Sequence, residues 1–169
     1  MRVRIIPEGV QHDHLILKPI FEAMFDHLGK GYAKIDIHSP KVRGFESVRA
    51  ADTIRGIIAR FPEVDLFVLC VDRDGDPHRR EALDDLERKI RKVLHPPRLF
   101  LAEHAWQEVE VWALAGVDYP DDWVWAEVRD ERDAKEQYFE PLAKERKLLD
   151  EPGEGRRTLG RRAYASNRS

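Results

Sequence analysis

The chain has 169 residues, 42 % of them apolar and 36 % charged, with a net charge of −3. That length suits one compact domain with an appendage and is short for two full domains. Interspersed charges of both signs exclude a disordered polyelectrolyte, and the slight negative excess excludes bulk attraction to nucleic acid or an anionic membrane while leaving room for local basic patches.

In chain order, Arg2 to Pro7 is a β-branched run that reads as a first strand. It turns at Pro7-Glu8-Gly9, which places a carboxylate at its tip beside a glycine free to take positive φ. From about Asp13 to Leu28, apolar residues recur at helical spacing, with Pro19 expected to kink the helix or mark its first turn. Lys34 to His38 alternates like a second strand, and Glu46 or Ser47 opens a helix with Val48, Ala51, Ile54, Ile58 and Phe61 on its buried face.

Leu66 to Val71 is an unbroken apolar run, the pattern of a strand covered on both faces in a central parallel sheet. It leads directly into Asp72-Arg73-Asp74-Gly75-Asp76. A charged helix follows, with Ala82, Leu83, Leu86, Ile90, Val93 and Leu94 on one face, and stops at Pro96-Pro97. Arg98 to Ala102 makes a fourth strand that finishes at Glu103-His104, and Trp106, Val109, Trp112 and Ala113 suggest a fourth helix. Four strands alternating with helices predict an α/β fold of three layers, with a central, mainly parallel four-stranded sheet over residues 1–117.

After Gly116 the composition changes. Residues 118–150 read as a helical extension of two short helices divided at Pro141, and residues 151–169, poor in apolar side chains and holding Arg156, Arg157, Arg161 and Arg162, read as a flexible basic tail. Cys70, the single cysteine, sits inside the apolar run and reads as a buried hydrophobe. No apolar stretch approaches the about 18 residues of a membrane span and no leader opens the chain, so a cytoplasmic location is expected.

Ligands of open α/β sheets collect at the carboxyl ends of the strands. Glu8, Asp72, Asp74 and Asp76 would meet at that edge if the first and third strands are parallel neighbours, and crowded carboxylates call for a hard divalent cation. Mg2+ or Mn2+ is the expected metal. Such a site can orient a phosphate and activate water. A solvated acidic turn that complements the dipole of the next helix would use the same residues. The tryptophans Trp106 and Trp112 fit a helical stripe and read as packing residues, although they, Trp123 and Trp125 could also stack on bases.

These residues resemble a family. Glu8-Gly9 after a first strand and Asp72-x-Asp74-x-Asp76 after a later one are similar to the Toprim domain of topoisomerases, bacterial primases and the nuclease half of the OLD (overcoming lysogenization defect) proteins. With Gln107-Glu108-Val109-Glu110-Val111-Trp112, the chain resembles a compact Toprim-like group whose members tend to sit beside ATPases. The resemblance covers about residues 2–115. It implies a Mg2+- or Mn2+-dependent nuclease or nickase acting on nucleic acid, in phage or plasmid defence, with Glu8 as general acid/base or ligand, Asp72 and Asp74 as metal ligands, and Glu110 as a further acidic site residue.

The group's first motif is Glu-Gly-x-Thr-Glu, whereas this chain has Glu8-Gly9-Val10-Gln11-His12-Asp13. Either Asp13 or His12 could substitute for the missing carboxylate; the alternative is that part of a second metal site is lost, leaving binding without efficient cleavage. Two alternatives remain open: a non-catalytic Toprim-like module that docks a partner ATPase through its extension or tail, and a haloacid-dehalogenase-like phosphatase built on Asp72-x-Asp74-Gly75.

Overall fold

In the computed structural model, which describes residues 1–8, 12–39, 50–151 and 153–165, the strands are β1 (Arg2–Pro7), β2 (Lys34–Ile37), β3 (Leu66–Val71) and β4 (Leu99–His104). They form one sheet in the order β2-β1-β3-β4, and every pairing is parallel. Parallel neighbours require crossovers, supplied by helices α1 (Asp13–His27), α2 (Ala51–Arg60) and α3 (Arg79–Arg91). The expected start of α2 at Glu46 or Ser47, the turn residue Gly9 and Gln11 lie outside the described residues.

Side-chain alternation divides each central strand between two cores. Val3, Ile5, Val68 and Cys70 face one apolar cluster, while Ile6, Phe67, Leu69 and Val71 face the other. The second cluster is completed by Ile54 and Ile58 of α2 and by Leu83, Leu86 and Ile90 of α3. Val93, expected on that face, follows the end of α3 and is 49 % exposed. Burial on both faces explains why β3 shows no polar alternation, and why Cys70 is fully buried with its thiol pKa pushed up by desolvation.

The first cluster holds more than the sequence pattern indicates. Besides Ile16, Leu17 and Phe21 of α1, it takes in α4 (Glu110–Leu114), α5 (Trp125–Asp130), α6 (Glu140–Glu145) and α7 (Arg156–Ala165), through Leu114, Val128, Leu142 and Leu159 among others. The extension therefore shares one core with the sheet. Its Pro141 sits in the first turn of α6, where a missing N–H costs nothing, and a π-helical turn over Lys135–Phe139 leads into that helix without a break.

The flexible-tail expectation is corrected for residues 156–165: α7 is a helix packed against α1 and α4. Leu159 is fully buried, and small residues bring the backbones close. A methyl on Gly160 would lie 3.2 Å from Ile16 Cα, and one on Gly116 would run into the carbonyl of Ala163. Residues 166–169 lie outside the described residues. Among the described residues, no helix is long and apolar enough to cross a membrane.

Candidate functional site

The pairing of β1 with β3 brings the first and middle parts of the chain to one edge. Pro7 lies opposite Cys70 in the register, and the Glu8 N–H donates to the Cys70 carbonyl at 3.0 Å, carrying the ladder one residue past the strand. The Asp72 N–H in turn donates to Glu8 Oε2 at 3.2 Å. The Asp72 carboxylate is oriented from the other side, where Oδ1 accepts the Val109 N–H at 2.8 Å. Glu8 and Asp72 are thus aimed by backbone hydrogen bonds from neighbouring strands and the loop after β4.

The loop after β3 is shaped by Gln107, a residue the sequence reading used only as part of a motif. Its carbonyl accepts the N–H groups of Arg73 at 2.8 Å and Asp74 at 3.3 Å, its Oε1 accepts that of Gly75 at 3.0 Å, and its Nε2 donates to the Asp130 carbonyl at 3.2 Å. These bonds hold Asp74 (φ 51°) and Gly75 (φ 71°) in the left-handed region. Glycine adopts it without strain, whereas the aspartate is held there at a cost of about 1 kcal/mol.

Arg79 was also missed. It reads as one charge among many at the start of α3, yet it is buried, reaches Asp74 at 3.5 Å and donates to the Arg73 carbonyl through Nε and Nη2. Asp76, expected as a metal ligand, accepts the His78 N–H on Oδ1 at 2.9 Å and so shapes the entry to α3.

Carboxylates gather at this edge and act on one another. Burial, reinforced by Asp13, Glu110, Asp74 and Glu8, pushes the Asp72 pKa up to about 8. Glu8 is raised as well, by burial first; the Asp72 N–H opposes the shift, and Asp74 and Asp13 add to it while Arg79 lowers it. Asp13, in the first turn of α1, acts electrostatically on both groups.

Glu110 lies at the same edge but in a different state. It is 7 % exposed, and its Oε1 accepts from Arg156 Nε at 2.9 Å and Nη2 at 2.8 Å. Arg156 is 3 % exposed, also reaches Glu154 at 2.8 Å, and lies over the Phe139 ring. Nothing in the local sequence joins residues 110 and 156; the pairing exists because α7 packs on α4. Nearby Glu108 accepts the Lys135 N–H at 2.7 Å, and burial pushes its pKa up to about 7.

Trp106 is not part of a helix. It stands before α4, 42 % exposed, with the guanidinium of Arg73 4.5 Å and that of Arg129 5.1 Å from its ring centroid. Trp112 packs against the core as expected, and Trp123 stacks on Tyr119 and meets Tyr138 edge-on.

Among the described residues, no three His, Cys, Asp or Glu side chains form a ready-made metal cage. Glu8, Asp13, Asp72 and Asp74 are coupled electrostatically at this edge, and carboxylate oxygens suit a hard divalent cation rather than a soft one. No protein-family model, no curated protein and no solved structure matches this chain.

Proposed function

We propose that this protein is a Toprim-like, Mg2+- or Mn2+-dependent hydrolase of nucleic-acid phosphodiesters. The observation that carries the reading is the state of Asp72: a carboxylate at the carboxyl end of a central parallel strand, its pKa pushed up to about 8 by burial first and then by Asp13, Glu110, Asp74 and Glu8 around it. A cation would be held by Asp72 and Asp74 with Glu8 and Asp13 beside them, and when bound it would polarise a phosphate oxygen and make water more acidic.

The chain's own residues supply the rest. Asp72 is pre-aimed by Val109, so little reorganisation accompanies binding. Glu8, whose raised pKa brings its proton affinity closer to neutrality, is the group suited to take a proton from attacking water and return it to the leaving oxygen. Arg79 keeps Asp74 at the edge. Glu110 enters as a fixed negative charge acting on Asp72 rather than as a ligand, because Arg156 holds it.

The test is nicking of supercoiled plasmid in Mn2+. Asp72→Asn and Asp74→Asn should reduce nicking at least about 100-fold, the scale of losing a main electrostatic contributor, while the circular-dichroism spectrum stays native. A wild-type protein that binds no Mn2+ by calorimetry would remove the hydrolase reading. The docking alternative called on the helical extension or the tail, and of the tail Arg156, Leu159 and Ala163 are buried within the chain.

A further inference from the structure

An acidic edge repels a phosphodiester, so any strand approaching Asp72 needs compensating cations on the way in. The rim beside it provides them in an unusual form. Arg73 directly follows Asp72 and stacks on Trp106, whose ring also takes Arg129, itself within 3.2 Å of Asp130. The side chain of Arg132 runs along Gly75, 3.8 Å from where a methyl on that glycine would stand. Gln107 ties this rim to the acidic loop by bonding Arg73, Asp74 and Gly75 on one side and Asp130 on the other. The distance between ring and carboxylates is therefore set by the fold rather than by a mobile loop.

Indole and guanidinium planes are both surfaces on which a nucleobase stacks, and guanidinium groups pair with the phosphates on either side of it. Double-stranded nucleic acid keeps its bases stacked inside and offers a ring platform nothing to hold. Trp106 is left 42 % exposed, in a chain where Trp112, Trp123 and Trp125 pack against the core. We infer that Trp106, with Arg73, Arg129 and Arg132 around it, seats an unpaired nucleobase and its flanking phosphates, so that the substrate presented to the acidic edge is single-stranded or locally unpaired nucleic acid. The inference deepens the hydrolase reading by naming its substrate class, and its test is independent of catalysis because it is run without metal.

The full chain is titrated in EDTA against fluorescein-labelled oligothymidylate, oligouridylate and a mixed-sequence DNA duplex, each of about 20 nucleotides, longer than the usual single-strand site of one domain. At least one of the two single strands should bind about tenfold or more tightly than the duplex. Trp106→Ala should weaken that binding roughly 5- to 100-fold, the range for losing one stacked base, and Trp106→Phe should restore most of it. Arg129→Ala should lower the logarithmic salt slope by about 0.7. Native circular-dichroism melts of the variants exclude unfolding as the cause. Duplex binding equal to single-strand binding, or Trp106→Ala binding like wild type, overturns the inference. Single-strand binding without any Mn2+-dependent nicking keeps this inference and removes the hydrolase reading; nicking by a protein that does not prefer single strands does the reverse.

Discussion

Two carboxylates stand at the same edge of the sheet, Glu110 buried and Asp72 half-buried, and they differ in how their charge is met. Glu110, where α4 meets α7, has the guanidinium of Arg156 on its oxygen, whereas Asp72, at the end of β3, has backbone N–H groups and other carboxylates for neighbours. A buried charge is tolerable if it is paired, bound to a cation or neutralised by a proton. The chain pairs Glu110 internally and leaves Asp72 to one of the other two. That difference separates a carboxylate that holds the fold together from one poised for chemistry, although both come from the same acidic motif set.

The largest expected effect tests the paired side. Arg156→Met strands Glu110 in a buried site and should cost about 3–5 kcal/mol in urea unfolding, whereas the double variant Glu110→Leu/Arg156→Met should recover most of it. If the single variant loses less than about 1 kcal/mol, the scale of an exposed pair, Glu110 is not held as described and returns as a candidate ligand.

The next effect tests the unpaired side. Asp72 holds its proton more tightly in the folded protein, with a pKa of about 8, than in the unfolded chain, near 4. Its contribution to stability is therefore full below about pH 4 and is lost as pH rises toward 8, a decline of a few kcal/mol at about 1.4 kcal/mol per unit. Asp72→Asn should flatten much of that slope and be more stable than wild type at pH 8, with a residual slope from Glu108 and Glu8, whose pKa values are also raised. On the hydrolase reading, Mn2+ should raise the melting temperature of wild type at pH 8 and leave Asp72→Asn unmoved. Melts across pH with and without the metal check both statements.

The smallest effect sharpens the boundary of the site. Asp76→Ala removes the acceptor of the His78 N–H and should cost about 1 kcal/mol, the usual loss for a helix-entry side chain, without changing Mn2+ affinity by calorimetry. A large drop in affinity would return Asp76 to the metal set.

Much of this edge was legible in the residues. Glu8, Asp13, Asp72 and Asp74 are brought together by strand ends and a helix start that can be read from apolar runs and turn residues, because a parallel sheet places successive carboxyl ends on one side. Arg79 and Gln107 were not legible, since a charged residue at a helix start and an amide in a loop look the same whether they face solvent or hold a neighbouring segment. Trp106 was misplaced for a similar reason: its spacing fits a helix that in fact begins at Glu110.

By itself, the sequence determined the alternation of strands and helices, the two-sided burial of β3 and the carboxylates at its end, all of which follow from local patterns of apolar and acidic residues. Only the tertiary structure decided that α7 is part of the core and that Arg156 neutralises Glu110. That helix packs through Gly160 and Ala163 and a buried ion pair, so it shows little of the apolar periodicity by which an amphipathic helix announces itself. Its fit depends on backbones of segments far apart in the chain meeting closely, where Gly116 lies against Ala163 and Gly160 against Ile16.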